Sequence, residues 1–197
     1  MGSPQPPDFS DLIAGISREL RERRIPFMLI GGQAVLLHGR PRLTEDIDIT
    51  LAADPNRLND LLDVCAALEL RPLPEDVEAF VRRTFVVPVL HQKTSIRVDF
   101  IFSTTSYERE AIDRAVVVQL ADESVPFAAA EDLIIHKLFA GRPTDLEDAA
   151  TVIRRKGAEL DWAYVERWVR EFGNVPGREN LPGLLADLRT EWDGHND

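Results

Sequence analysis

The sequence predicts an α/β (α+β) protein: a mixed, twisted sheet flanked by helices, with a helical C-terminal part. Three observations carry this. Short apolar or alternating runs fall before residue 128, and stretches of helical period follow it. The 197 residues are 44% hydrophobic and 29% charged, the balance of one sizeable globular domain. The expected division is a disordered segment over residues 1–8, a core over 9–128 and a helical subdomain over 129–197.

Taken in order, Leu12, Ile13, Ile16 and Leu20 recur at helical spacing behind a capping candidate, Ser10, in a helix ending near Arg24. Phe27–Ile30 is an apolar run closed by Gly31-Gly32, and Ala34–Leu37 then reads as a brief helix stopped by Gly39 and Pro41. Asp46–Leu51 alternates polar and apolar residues, so Asp46 and Asp48 share one face of a strand. Leu58, Leu61, Leu62, Cys65 and Leu68 form a helical stripe, which makes Cys65 a small core residue. A helix over 75–82, a hairpin of 84–89 with 94–102, and strands over 116–120 and 124–127 follow. The helices expected last are 130–140, 145–156, 162–172 and 184–192.

With 34 acidic against 23 basic residues, the net charge of −11 argues against indiscriminate binding to nucleic acid or anionic membrane. One cysteine excludes a disulfide within the chain, and four scattered histidines give no zinc spacing. Without an apolar run of roughly 20 residues or a signal peptide, a cytoplasmic protein is expected.

Two carboxylates on one strand face repel unless a cation sits between them, and their hard oxygens suit magnesium; such a pair is also common in surface turns. Asp99 strengthens the metal reading. It stands mid-strand among Ile96, Val98, Phe100 and Phe102, where an aspartate breaks both strand propensity and burial rules. If that strand pairs with Asp46–Leu51, three carboxylates converge on one face, a geometry that holds two ions roughly 3.5–4 Å apart for phosphoryl displacement. Gly31-Gly32, at a strand–helix turn, bares backbone N–H groups to a triphosphate.

The succession Leu29-Ile30-Gly31-Gly32-Gln33-Ala34, His38-Gly39-Arg40 and Leu43-Thr44-Glu45-Asp46-Ile47-Asp48-Ile49 resembles the active-site signature of the nucleotidyltransferase superfamily related to DNA polymerase beta. It is similar in particular to AbiEii-like toxin and small antibiotic nucleotidyltransferases. The resemblance implies that Gly31 and Gly32 hold a nucleoside triphosphate such as ATP, that Asp46 and Asp48 bind metal with Asp99 as the third acid, and that Arg42 and Thr44 enter the site. A second stretch, Glu131–Leu138 followed by Gly141–Asp148, resembles the part of those proteins in which a lysine and a following aspartate complete the site. Here Pro143-Thr144 stand where a basic residue is expected before Asp145. The two stretches cover roughly residues 27–150.

Lys137 falls inside the apolar stripe of Leu133, Ile134 and Leu138, which demands a partner: Asp145 or Asp148 on the next helix, or a phosphate. Asp145 also suits a helix cap. His38 and His136 read as solvated or capping, Arg18–Arg24 as a solvated helix face, and Trp162, Tyr164 and Trp168 mainly as core. The expected activity is transfer of a nucleotidyl group to an acceptor hydroxyl or phosphate on a small molecule, a transfer RNA or a protein, with release of pyrophosphate and with two magnesium ions. A cognate antitoxin is the implied partner. The alternative is a non-catalytic, antitoxin-like module that binds nucleotide or protein on the same fold.

Overall fold

The computed structural model describes residues 9–194. The segment 1–8, expected to be disordered, lies outside them. The chain forms two compact units: a sheet unit of the residues up to Gly32 with Thr44–Phe127, and a helical unit of Gln33–Leu43 with Ala128 onward. Residues 33–43, assigned to the core by the sequence, thus group with the C-terminal helices.

The sheet unit is built on seven strands, β1 (Phe27–Ile30), β2 (Asp46–Ala52), β3 (Leu70–Pro72), β4 (Val86–His91), β5 (Arg97–Ser103), β6 (Val116–Leu120) and β7 (Glu123–Phe127). They run in the order β3-β4-β5-β2-β1-β7-β6. The pairs β2/β5 and β1/β7 are parallel and the others antiparallel, so the sheet is mixed. The helix α1 (Phe9–Glu22) precedes β1, and α3 (Leu58–Ala67), α4 (Val77–Thr84) and α5 (Ser106–Asp113) connect later strands. Ser10 stands inside the first turn of α1 rather than ahead of it, because the helix already begins at Phe9.

Period-two alternation gives the sheet two unlike faces. Ile47, Ile49 and Leu51 of β2 and Val98, Phe100 and Phe102 of β5 are buried on one face. Asp46, Asp48, Arg97, Asp99 and Ile101 alternate with them onto the other, which is only partly covered. Cys65 of α3 is buried, and burial pushes its thiol up to about 12, which makes it inert. On α1 Arg18 and Arg21 are solvent-side partners of Glu123, and Arg23, just past its end, reaches back to Glu19.

The helical unit contains most of α2 (Gly31–His38), then α6 (Ala130–Ala140), α7 (Pro143–Lys156), α8 (Trp162–Phe172) and α9 (Leu181–Asp193). Leu133, Ile134, Leu138, Val152, Ile153, Val165 and Val169 form its apolar interior. Tyr164 and Trp168 belong to it, and the Tyr164 hydroxyl donates to Asp132 at 2.7 Å. His38 is buried, its Nε2 2.8 Å from the Ala128 carbonyl, and the Nε2 of His136 is also out of solvent. The expectation of a solvated imidazole is thus corrected for His38, which is buried and hydrogen-bonded, while His136 is half-buried with its Nε2 shielded.

The two-faced sheet sets an expectation for stability. Phe100→Ala, on the fully buried face, should cost about 3–5 kcal/mol. Ile101→Ala, one residue on but on the carboxylate face, should cost roughly 1 kcal/mol. Urea unfolding of the two variants compares them directly; equal losses would contradict the assignment of faces.

Candidate active site

The centre of the sheet positions the acidic residues. In the parallel pair β2/β5, Asp46 lies beside Arg97 and Asp48 beside Asp99, while across the antiparallel pair Ile30 lies beside Asp48. Side chains at matched register point to one side, so Asp46, Asp48 and Asp99 share a face. Such neighbours across adjacent strands repel when both are ionised.

Each of the outer two is already engaged. The Thr44 hydroxyl donates to Asp46 Oδ1 at 3.0 Å, and Arg97 Nε donates to Asp99 Oδ1 at 2.9 Å. The hydrogen bond to Asp99 raises Arg97 above its ordinary value, and the charges of Asp99, Asp46 and Asp48 add to it. The guanidinium therefore feels all three carboxylates. Convergence on a single point, expected from the sequence, is not found: among the described residues no three His, Cys, Asp or Glu side chains are gathered closely enough to hold one metal ion. The acids share a face, and two of them are engaged there, Asp46 by Thr44 and Asp99 by Arg97. The donor set nevertheless fits a hard divalent cation in kind, being three carboxylates aligned by the register of one sheet.

The glycine pair has a structural reason that the sequence did not reveal. Gly31 has φ +64°, and a Cβ there would lie 1.9 Å from Asp48 Oδ2. A Cβ on Gly32 would lie 2.2 Å from the Thr44 hydroxyl oxygen. Both side-chain positions are thus claimed by residues of the Thr44–Asp48 stretch, and only glycine lets the start of α2 approach them.

In the helical unit, Lys137 is buried between two carboxylates, with Nζ 2.9 Å from both Asp145 and Asp148. Arg42 grips Asp148 with two bonds, Nε to Oδ1 at 3.0 Å and a terminal nitrogen to Oδ2 at 2.9 Å. Arg142 does the same to Asp145, at 2.5 and 3.2 Å. The basic residue missing from Pro143-Thr144 is thereby supplied one step earlier, from the N-cap position of α7. Burial pushes both carboxyls up, but the arginine and lysine hydrogen bonds outweigh it and leave Asp145 and Asp148 below the ordinary value of 3.8. Beside this network a concavity of about 230 Å³ is lined by Arg40, Arg42, Thr144, Glu147, Asp148 and Thr151. The sequence placed Arg42 at the site but missed its bond to Asp148, and it missed the roles of Arg97 and Arg142 altogether.

Residues 17–194 match the sequence profile described as nucleotidyl transferase AbiEii toxin, type IV toxin–antitoxin system. The chain belongs to this nucleotidyltransferase toxin family, which is a family of enzymes. The match includes α8 and α9, beyond the stretches that first suggested it. No curated protein matches in sequence. Among solved structures, an antigenic nucleotidyltransferase-like protein from Paracoccidioides brasiliensis superposes with a TM-score of 0.60 at 14% identity, over 92% of this chain and 87% of that one. The antibiotic-resistance factor ANT(2'')-Ia gives 0.52 at 17% identity, over 95% and 96%. The lincosamide antibiotic adenylyltransferase LnuA gives 0.51 at 14%, over 72% and 94%. At these identities the likeness establishes the fold. The family implies a nucleoside triphosphate as substrate, and no helix among the described residues is long and apolar enough to cross a membrane.

The ion-pair network makes two predictions. Lys137→Met keeps the aliphatic packing but leaves two buried carboxylates with one cation fewer, and should cost on the order of 3 kcal/mol in thermal or urea unfolding. A loss under 1 kcal/mol would mean the arginines alone suffice. The second concerns acid. Burial pushes His136 down to about 4 from 6.5, so between those values the unfolded chain binds a proton that the folded one refuses. Stability should be complete above pH 6.5 and fall as pH drops toward 4, then fall further below 3.8 as Asp145 and Asp148 are protonated. His136→Gln should flatten the first of these declines in melts recorded across the range.

Proposed function

We propose that the protein transfers a nucleoside monophosphate from a nucleoside triphosphate to an acceptor hydroxyl or phosphate, in a magnesium-dependent reaction that releases pyrophosphate. The observation that carries this reading is the register of β2 on β5, which sets Asp48 beside Asp99 with Asp46 on the same face. Arg97 supplies a single positive charge to these three carboxylates, and a divalent cation on the same face would balance the rest. Asp46, Asp48 and Asp99 are the residues that would hold magnesium, which when bound neutralises phosphate oxygens and sharpens the electrophilic phosphorus.

The chain's own groups then divide the work. Backbone N–H groups at Gly31 and Gly32, the start of α2, receive the triphosphate, helped by the positive end of the helix dipole. The acceptor oxygen attacks the α-phosphorus, its proton passes to the Asp99 carboxylate, and the bond from the α-phosphorus to the bridging oxygen breaks as pyrophosphate departs in line. Thr44 steadies Asp46 through its hydroxyl. In the helical unit Lys137 and Arg42 share Asp148, which holds the Arg42 guanidinium in one place with its side chain 44% exposed. As a toxin the enzyme would disable its acceptor, a small molecule, a transfer RNA or a protein, in the cytoplasm, and a cognate antitoxin would oppose it.

Incubation with labelled triphosphates, magnesium and a panel of acceptors, followed by mass spectrometry, should show a nucleotidyl adduct and matching pyrophosphate. Turnover undiminished in Asp48→Asn would refute the assignment, and binding without turnover under all conditions would favour the non-catalytic module. Magnesium should also raise the melting temperature of the wild type. Asp48→Asn should lose that increment, while the metal-free variant melts at the same temperature or higher because one like charge is gone.

A further inference from the structure

The three acids of the sheet face carry a counter-ion of their own. Arg97 lies on β5 beside Asp46 of β2 and two residues before Asp99, so its side chain rises on the carboxylate face. Its Nε donates to Asp99 Oδ1 at 2.9 Å. The Arg97 side chain is 52% exposed and that of Asp99 18%, so the cation is the more solvent-accessible member of the pair. This bond occupies one of the two Asp99 oxygens, and among the described residues no gathered triad of metal-holding side chains is found.

We propose that Arg97 is a built-in competitor of the divalent cation: it holds Asp99 in the metal-free protein and must release it before the third carboxylate can join Asp46 and Asp48. It rests on the magnesium reading above. Arg97 is on this view a positioning residue that sets metal affinity and makes no contact with the reacting atoms. Its grip is suited to the task, since a half-exposed pair is weak enough to be exchanged for a divalent ion yet strong enough to fix one rotamer. Release also frees a guanidinium on the face where the triphosphate would lie.

Magnesium binding is measured calorimetrically, and manganese binding by electron paramagnetic resonance, on the wild type, Arg97→Gln, Arg97→Lys and Asp48→Asn. Removing the competitor should tighten the dissociation constant of either ion by roughly 3- to 5-fold in Arg97→Gln, as expected for loss of one partly screened pair. Arg97→Lys, which keeps the charge, should fall between it and the wild type. Unchanged or weaker binding in Arg97→Gln, beside clear binding by the wild type that Asp48→Asn abolishes, would overturn the proposal and leave the metal site standing. Failure of the folded wild type to bind either ion would overturn both. A melting temperature lowered in metal-free Arg97→Gln, with the increment produced by magnesium enlarged, is the accompanying signature.

Discussion

The meeting of Asp48 with Asp99 across a parallel strand pair is the constraint around which this protein is arranged. Neither residue belongs by propensity in the middle of a sheet, and side by side they oppose one another. The opposite face supplies what holds them there. Ile47, Ile49, Val98 and Phe100 are completely buried, so a slip of one residue in either strand would turn apolar groups to water and carboxylates into the core. The acids are placed by the hydrophobic residues that alternate with them, and the repulsion is met locally by Thr44 and Arg97.

The glycine turn belongs to the same solution. Asp48 and Thr44 occupy the space that side chains at positions 31 and 32 would need, which ties the two parts of the signature to each other by contact. The pair thereby brings the N-terminus of an eight-residue helix close to the acids. In the helical unit charge is handled differently: two buried aspartates share one buried lysine and each retains an arginine at its rim. That arrangement satisfies the lysine inside the unit, and the cations it leaves toward water are Arg42 and Arg142.

Much of this was legible from local pattern. β1 and β2 follow from an apolar run, a glycine stop and strict alternation, and the same alternation exposed Asp99 as out of place. Elements without such a pattern escaped. β3 is a three-residue edge strand ending in Pro72, tolerated only because an edge has spare backbone groups. The helix α5 buries just Tyr107 and Ala111, too few anchors to show a period, and is set by its Thr105 cap. Partner choice was harder still. The Arg42–Asp148 and Tyr164–Asp132 bonds join residues far apart in sequence, and no spacing rule foretells them. Arg97 looked like the polar half of an alternating strand, which it is; only side-chain geometry shows which acid it holds.

The β2/β5 pairing also governs when the acidic face comes into being. β4 with β5 and β6 with β7 are hairpins that close over short turns, whereas β2 reaches β5 only after the whole passage through α3, β3, α4 and β4 has been drawn in. Closing that passage costs chain entropy before any contact repays it, so the hairpins can form ahead of the central pair. The charge conflict is then confined to the last stages of folding. Salt or a bound cation that relieves it would act mainly on the rate at which the native protein opens, and little on the rate at which the chain first collapses.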